Sequence, residues 1–286
     1  MQKRGQVTFF MVIALALLII VGLYYYMAKY NAKSKSSRII KENTDFTSAN
    51  IVKIYVESCL KSVSEDAIFN RIGLHGGYID PKISMPIEQQ TPFLDNSVPY
   101  YLEANCPDSI CSNFKEYFPD DNIIIKELTK YIRLEFEKCF DTKVFENVGL
   151  NVTKLTDNSK IGVNLNEEDV TIKLNYPITI IRKGTETNID SFVVTLPIRL
   201  KSLYSSSISL IEKIKNLQSN KYIITPDDCK SFDKNGLTNV YVKNSDNGPK
   251  EIIQFVDFST YKEKYFNSYI FQFAVKNIKI EGSCAG

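Results

Sequence analysis

The feature that most constrains this chain is an uncharged apolar run close to its N-terminus. Residues 7–28 read VTFFMVIALALLIIVGLYYYMA and contain no charged side chain. As a helix that rises about 1.5 Å per residue, the run would extend roughly 33 Å, which is enough to cross a hydrocarbon core of about 30 Å. We therefore expect a single N-terminal transmembrane helix within residues 1–30, then a polar stalk (31–46), then a folded ectodomain.

Composition and charge limit the classes of partner that the chain is expected to bind. The chain has 286 residues, of which 44% are hydrophobic, so it can build a substantial core. Its 35 basic and 33 acidic residues are scattered and give a net charge of +2, which creates no field that would recruit nucleic acid. We expect no nucleic-acid partner; the expected partners are the lipid bilayer and either other envelope proteins or further copies of the chain.

The apolar periodicity changes at Leu150 and predicts an α+β fold class. Residues 45–74 and 122–145 have helical spacing, which predicts two amphipathic helices in a helical subdomain (47–150). Between them, residues 80–120 carry six prolines, so we expect a proline-rich loop without long regular elements. Residues 151–286 alternate and predict an antiparallel β-sheet subdomain with one helix, at about 202–217.

The clearest strand signal is a long hairpin with one buried face. Two alternating runs flank the loop at residues 182–187, and Pro177 and Pro197 require an edge position or a bulge. The residues that face the same way are Val170, Ile172, Leu174, Tyr176, Ile178 and Ile180 in the first run, and Phe192, Val194, Leu196, Ile198 and Leu200 in the second.

Six cysteines indicate a disulfide framework. Cys59 and Cys139 occupy matching places on the two amphipathic helices, and they are the first choice for a bridge. Cys106 and Cys111 lie in the short loop CPDSIC, where a bridge is feasible, which leaves Cys229 and Cys284 to pin the C-terminal strand. The sequence alone does not decide among the possible pairings. With no C-x-x-C spacing and one histidine, we expect no metal site and no cofactor.

No catalytic constellation is apparent, and we expect a protein that is not an enzyme. His75 lies in the glycine-rich stretch GLHGG, which is typical of a turn at a helix end, and no G-x-S-x-G motif occurs. The acidic groups at residues 120–121, 167–169 and 227–228 lie beside predicted strand starts or turns, where solvated acids are usual. A membrane-tethered extracellular hydrolase or solute-binding receptor, with residues 80–120 covering a cleft, remains the alternative.

The topology is contested within the sequence, because basic residues flank both ends of the apolar run. A literal count of these residues would place the large domain in the cytoplasm. The even number of cysteines and the glycosylation sequon at Asn151 (Asn-Val-Thr) favour the opposite orientation. We therefore expect a single-pass protein of the cell membrane with an extracellular ectodomain.

The N-terminal residues KRGQVT (3–8) resemble the class III leader of archaeal pilin-like proteins. The resemblance implies cleavage between Gly5 and Gln6. The family usually has a glutamate four positions after the glutamine, where this chain has Phe10.

The remainder resembles single-pass archaeal surface proteins that have no assigned activity, through the stretches YVESCL, GGYI, VPYY and NYP. Together these features predict a membrane-anchored, disulfide-stabilised cell-surface protein. We expect it to act by protein–protein contacts, in envelope structure, adhesion or pilin-like assembly.

Overall fold

A computed structural model describes residues 48–107, 109–155, 159–232, 238–244, 250–259 and 268–284. The chain divides into two units, Met1–Ser58 and Cys59–Gly286. The first unit is described from Ser48 onward, where it is helical and contains an ion pair between Lys53 and Glu57. The predicted transmembrane segment, the stalk and the leader cleavage site at Gly5 and Gln6 lie outside the described residues.

The helices follow the predicted spacing closely. In α3, every fourth residue from Ile124 to Phe136 is buried, which makes one apolar stripe, and Asp120 caps the N-terminus by accepting a hydrogen bond from Ile123 N at 2.7 Å. The α-helices are α1 (Ser48–Glu65), α2 (Pro81–Ser84), α3 (Asp121–Cys139), α4 (Leu200–Leu217) and α5 (Pro226–Phe232). A π-helix (Asp66–Ile72) continues α1, and two 3₁₀ helices span Ile87–Gln89 and Thr142–Val148.

The described strands form three sheets. A six-stranded sheet has the order β1-β2-β11-β10-β9, with β3 beside β2; a four-stranded sheet is built around β6; β8 and β12 form a pair. The strands are β1 (Gln90–Phe93), β2 (Asn96–Asn105), β3 (Ser112–Glu116), β4 (Asn151–Lys154), β5 (Lys160–Leu165), β6 (Val170–Arg182), β7 (Thr185–Leu196), β8 (Lys221–Ile223), β9 (Thr238–Asn244), β10 (Lys250–Asp257), β11 (Tyr269–Lys276) and β12 (Lys279–Glu281).

The four-stranded sheet contains the predicted hairpin, which the structure confirms. Strands β6 and β7 pair antiparallel from Val170↔Leu196 to Arg182↔Thr185, and every residue predicted to share the inner face is buried. The second strand is shorter than predicted, because β7 ends at Leu196 and Leu200 already begins α4. The register shifts between Asn175 and Ile178, which is a bulge around Pro177. Lys183 and Gly184 make the turn with φ of 48° and 83°, as a two-residue hairpin turn requires.

The six-stranded sheet overturns the prediction that residues 80–120 lack long regular elements. Strand β2 alone has ten residues and contains Pro99. Proline is tolerated there because β11 joins β2 only from Tyr100 onward, so at Pro99 the strand pairs on one side, with β1. Pro92 lies in β1, at the edge of the sheet.

The predicted fold class needs correction: its sheet is not purely antiparallel, and its membrane helix is not among the helices that the structure describes. Within the described ranges, no helix is both long enough and apolar enough to span a bilayer. The α+β character is present, but β2 pairs parallel with β11, and β8 pairs parallel with β12. The division at Leu150 stays a prediction, although the six-stranded sheet takes strands from both sides of it.

Aromatic side chains fill the inner face of the six-stranded sheet. Tyr101 of β2 stacks on Phe273 of β11 with ring centroids 4.5 Å apart, and Phe255 of β10 stacks on Phe273 at 6.1 Å. Tyr204 of α4 and Phe232 of α5 contact this layer edge-on. These helices therefore cover the inner face of the sheet.

Candidate functional site

All six cysteines form disulfide bridges, in the pairing that the sequence favoured. Cys59 of α1 bonds to Cys139 at the end of α3, with Cα atoms 6.0 Å apart. Cys106 bonds to Cys111 in the loop between β2 and β3. Cys229 of α5 bonds to Cys284, whose backbone also pairs with Val240 of β9. The bridges thus fasten two helices, one loop and the C-terminal segment.

Helix α5 is also held by hydrogen bonds to Asp228, which lies next to its disulfide. The Asp228 carboxylate accepts hydrogen bonds from Lys213 Nζ (2.7 Å), Tyr222 Oη (3.0 Å) and the Thr225 backbone N–H (2.9 Å). Burial by itself would raise the pKa of Asp228, but these hydrogen bonds together lower it. The prediction of solvated acids beside a strand start or turn is therefore wrong for Asp228, which is buried at the start of α5. Asp120 and Asp121 also begin a helix, α3.

His75 lies in the turn that ends the π-helix, as predicted. Its Nδ1 is 2.8 Å from the carbonyl oxygen of Ile79, and its side chain is buried. The turn also joins the sheet, because Gln272 N donates to Gly73 O at 2.9 Å and Tyr101 Oη donates to Gly76 O at 3.2 Å. The geometry assigns His75 to the support of this turn.

The histidine should make stability depend on pH. Burial lowers the pKa of His75, so its stabilising effect is complete above its ordinary pKa of 6.5 and is lost as the pH falls below that value. The chain has one histidine, so midpoint temperatures measured at pH 7.5 and at pH 5.5, for wild type and for His75→Gln, separate its effect from that of other groups. We expect wild type to lose more stability over this interval than His75→Gln, and an equal loss would contradict the assignment.

An exposed apolar segment is the most unusual feature of the described surface. Residues 81–94, which we call the apolar segment, include Ile83, Ile87 and Leu94, whose exposed fractions are 81%, 83% and 83%. The other exposed large hydrophobic residues in the described ranges reach at most 68%. Soluble surfaces seldom present large side chains this fully, and groups of them mark interaction sites.

The apolar segment is held in place by hydrogen bonds. Gln90 Nε2 lies 3.3 Å from the carbonyl oxygens of both Pro81 and Met85, and Ser97 Oγ donates to Gln90 Oε1. Asp80 caps α2 by accepting from Lys82 N at 3.0 Å. These hydrogen bonds therefore fix the backbone that carries Ile83 and Ile87.

Leu94 has a strained backbone. It lies at the turn between β1 and β2 with φ of 51°, in the left-handed region that glycine or asparagine normally occupies. A leucine here is unfavourable for two reasons: its backbone is strained, and its apolar side chain is exposed to water. This segment has no periodic signal in the sequence, because its apolar residues are isolated between prolines; the leucine beside Asp95 at a turn is the available signal.

A polar pocket of about 480 Å³ lies beside Asn105, the last residue of β2. Its polar lining comes from Asn105, Asn220, Asn277, Glu251 and Lys279, beside the Cys106–Cys111 bridge. Among the described residues around it there is one acid and no aromatic ring. The pocket therefore offers no pair of carboxylates for hydrolysis.

The remaining predicted positions do not converge on this pocket. Asn151 and Thr153 of the sequon are exposed on β4. Glu167 and Glu168 are exposed in the turn before β6, and Asp169 there accepts a hydrogen bond from Asn166 Nδ2 at 2.8 Å. In the described part of the chain no group of histidine, cysteine and acidic residues is arranged to hold a metal ion.

Comparison with known proteins gives no relative. No family model matches the chain, and no curated protein or solved structure shows significant similarity to it.

Proposed function

We propose that this protein works outside the cell and acts through protein–protein contacts made by the apolar segment. The observation that carries the contact role is the set of three side chains, Ile83, Ile87 and Leu94, each more than four-fifths exposed. Burying an aliphatic side chain of this size contributes about 1.5–3 kcal/mol. The segment therefore offers a partner a sizeable apolar contribution to binding.

The extracellular location is supported by the three disulfides. Bridges of this kind persist in oxidising compartments and are rare in the cytosol. Localisation at the cell membrane stays a prediction, because residues 7–28 lie outside the described ranges. The partner is a second copy of the chain or another envelope protein.

The contact role is tested by photo-crosslinking in the native cells. A photoreactive amino acid replaces Leu94 in one variant and Leu134 in a matched control, since Leu134 is also exposed (52%) but lies on α3. We expect a protein adduct from position 94 that is absent from position 134. The mass of the adduct then distinguishes a second copy from a different protein. Absence of an adduct at position 94, or equal yields at both positions, would contradict the proposal.

The strained turn supplies an independent prediction. Leu94→Asn places at φ of 51° a residue that tolerates the left-handed region, so we expect it to stabilise the isolated protein by roughly 1 kcal/mol. The same change removes the exposed leucine and should abolish association. Thermal unfolding together with sedimentation would measure both effects. A variant that loses stability would show that Leu94 serves the fold, and a variant that keeps its association would contradict the contact role.

Pilin-like assembly is the more specific form of this function. Its support is the resemblance of residues 3–8 to a class III leader. Mass spectrometry of the native N-terminus tests it, because processing of that kind leaves a chain that begins at Gln6. The hydrolase or receptor alternative stays a prediction, although a pocket with one acid gives the hydrolase no second carboxylate.

A further inference from the structure

Strand β4 begins with the sequon Asn151-Val152-Thr153, which the proposed contact role does not use. Side chains alternate between the two faces of a strand, and here Val152 is buried while Asn151 and Thr153 are both exposed. The asparagine amide and the threonine hydroxyl therefore project from the same side of the strand into solvent. An enzyme that recognises both groups can reach them together.

The sequon also lies at an edge of its sheet. Among the described strands, β4 pairs with β6 alone, and Asn151 lies opposite Ile181. Ile181 pairs in turn with Glu186 of β7. Residues paired across strands share a face, so Asn151, Ile181 and Glu186 form one row on this side of the sheet. Because Asn151 and Glu186 are exposed and Ile181 is half-buried, a group attached to Asn151 is accommodated in solvent.

Exposure alone does not distinguish Asn151 from other asparagines of the chain. Asn147, in the 3₁₀ helix four residues earlier, is also exposed, but Gly149 stands two positions after it and offers no hydroxyl. Asn151 is the one asparagine in the whole sequence that has serine or threonine two positions later, with a residue other than proline between them. The sequence requirement for N-glycosylation and an accessible amide therefore coincide at Asn151.

We propose that the side chain of Asn151 carries an N-linked glycan. A glycosyltransferase outside the cytosol transfers the sugar from an activated donor, a lipid-linked sugar phosphate. The Asn151 Nδ2 atom loses one proton to solvent and forms a bond to C1 of the sugar, while the bond between C1 and the phosphate oxygen breaks. The phosphate leaves with the electron pair of that bond. This inference rests on the extracellular location proposed above and is independent of the contact role.

A glycan at this position has a physical consequence for the sheet. The outer backbone groups of an edge strand are a template on which a strand of another chain can pair. A glycan is bulky and strongly hydrated, and it is attached here to the first residue of the edge strand β4. Glycosylation of Asn151 therefore hinders the pairing of other chains with β4.

Mass spectrometry of the full chain, purified from its native cells and digested with trypsin, tests the proposal. We expect the peptide of residues 144–154 to exceed its sequence mass by at least one sugar unit, with the added mass on Asn151. Asn151→Gln and Thr153→Val should abolish the added mass, whereas Thr153→Ser keeps the hydroxyl and should retain it. Asn147→Gln, at an exposed position in the same peptide, is the matched control and should also retain it.

The oxidation state of the cysteines in the same sample separates this proposal from the extracellular location. An unmodified peptide from a protein with three intact disulfides would overturn the glycan and leave the location in place. An unmodified peptide from a protein with six free thiols would overturn both. Added mass that persists in Asn151→Gln, or that is lost equally in Asn147→Gln, would also overturn the proposal.

Discussion

Replacing Cys59 and Cys139 with alanine is expected to lower the free energy of unfolding by about 4–5 kcal/mol, one of the two largest effects in this molecule. The bridge joins positions 80 residues apart, and the entropy of the unfolded chain that a bridge removes grows with the length of the loop it closes. Denaturant unfolding of the two proteins under oxidising conditions measures the difference.

The other bridges provide internal controls for this prediction. Cys229–Cys284 closes a separation of 55 residues, so its removal should lower the free energy of unfolding by about 4 kcal/mol. Cys106–Cys111 closes a separation of 5, so its removal should lower it by about 2 kcal/mol. The order of the three losses should therefore follow loop length. A loss at Cys59–Cys139 no larger than that at Cys106–Cys111 would contradict the view that the long bridge holds the helices.

Asp257→Ala is expected to lower the free energy of unfolding by about 3–5 kcal/mol. Asp257 at the end of β10 accepts hydrogen bonds from Arg199 Nη2 (2.7 Å) and Nε (3.1 Å), and both side chains are buried, at 0% and 7% exposed. Arg199 also donates to Thr238 Oγ1 at 2.9 Å. The variant would leave a guanidinium buried without its counter-ion where α4 begins.

A double variant distinguishes the interaction between Arg199 and Asp257 from the effect of losing one charge alone. Arg199→Met with Asp257→Leu removes both charges together, so it should lose much less stability than Asp257→Ala alone. Lys213→Met breaks the ion pair between Lys213 and Asp228, in which the lysine is partly exposed to solvent. Because solvent screens that pair, this variant should lose less stability than Asp257→Ala. Equal losses in Asp257→Ala and the double variant would mean that the charges do not interact in the fold.

The parts of the fold that sequence reasoning could predict are those fixed by local pattern. The β6–β7 hairpin is encoded by alternation on both sides of a short turn that contains Gly184, and α3 by a stripe of buried residues four apart. The parallel pairing of β2 with β11 was missed because its partners are distant in sequence; Glu103 and Lys276, for example, are 173 residues apart. No local feature encodes that pairing.

The candidate sites divide in the same way. The bridge between Cys59 and Cys139 is predictable from local information, because both positions follow apolar stripes of amphipathic helices. Glu251 and Asp257 begin and end the inner face of β10, and alternation could have identified both as buried acids. The sequence could not show that Asp257 has Arg199 as a partner, or that Glu251 Oε2 has none among the described residues.

The oxidation state of the cysteines in living cells tests the account most directly. Cells would be lysed straight into an excess of a membrane-permeant thiol-alkylating reagent, and the protein analysed by mass spectrometry before and after reduction. An extracellular protein that functions with three bridges should show no alkylated cysteine before reduction and six new thiols after it. Six cysteines that are already alkylated before reduction would contradict an extracellular role.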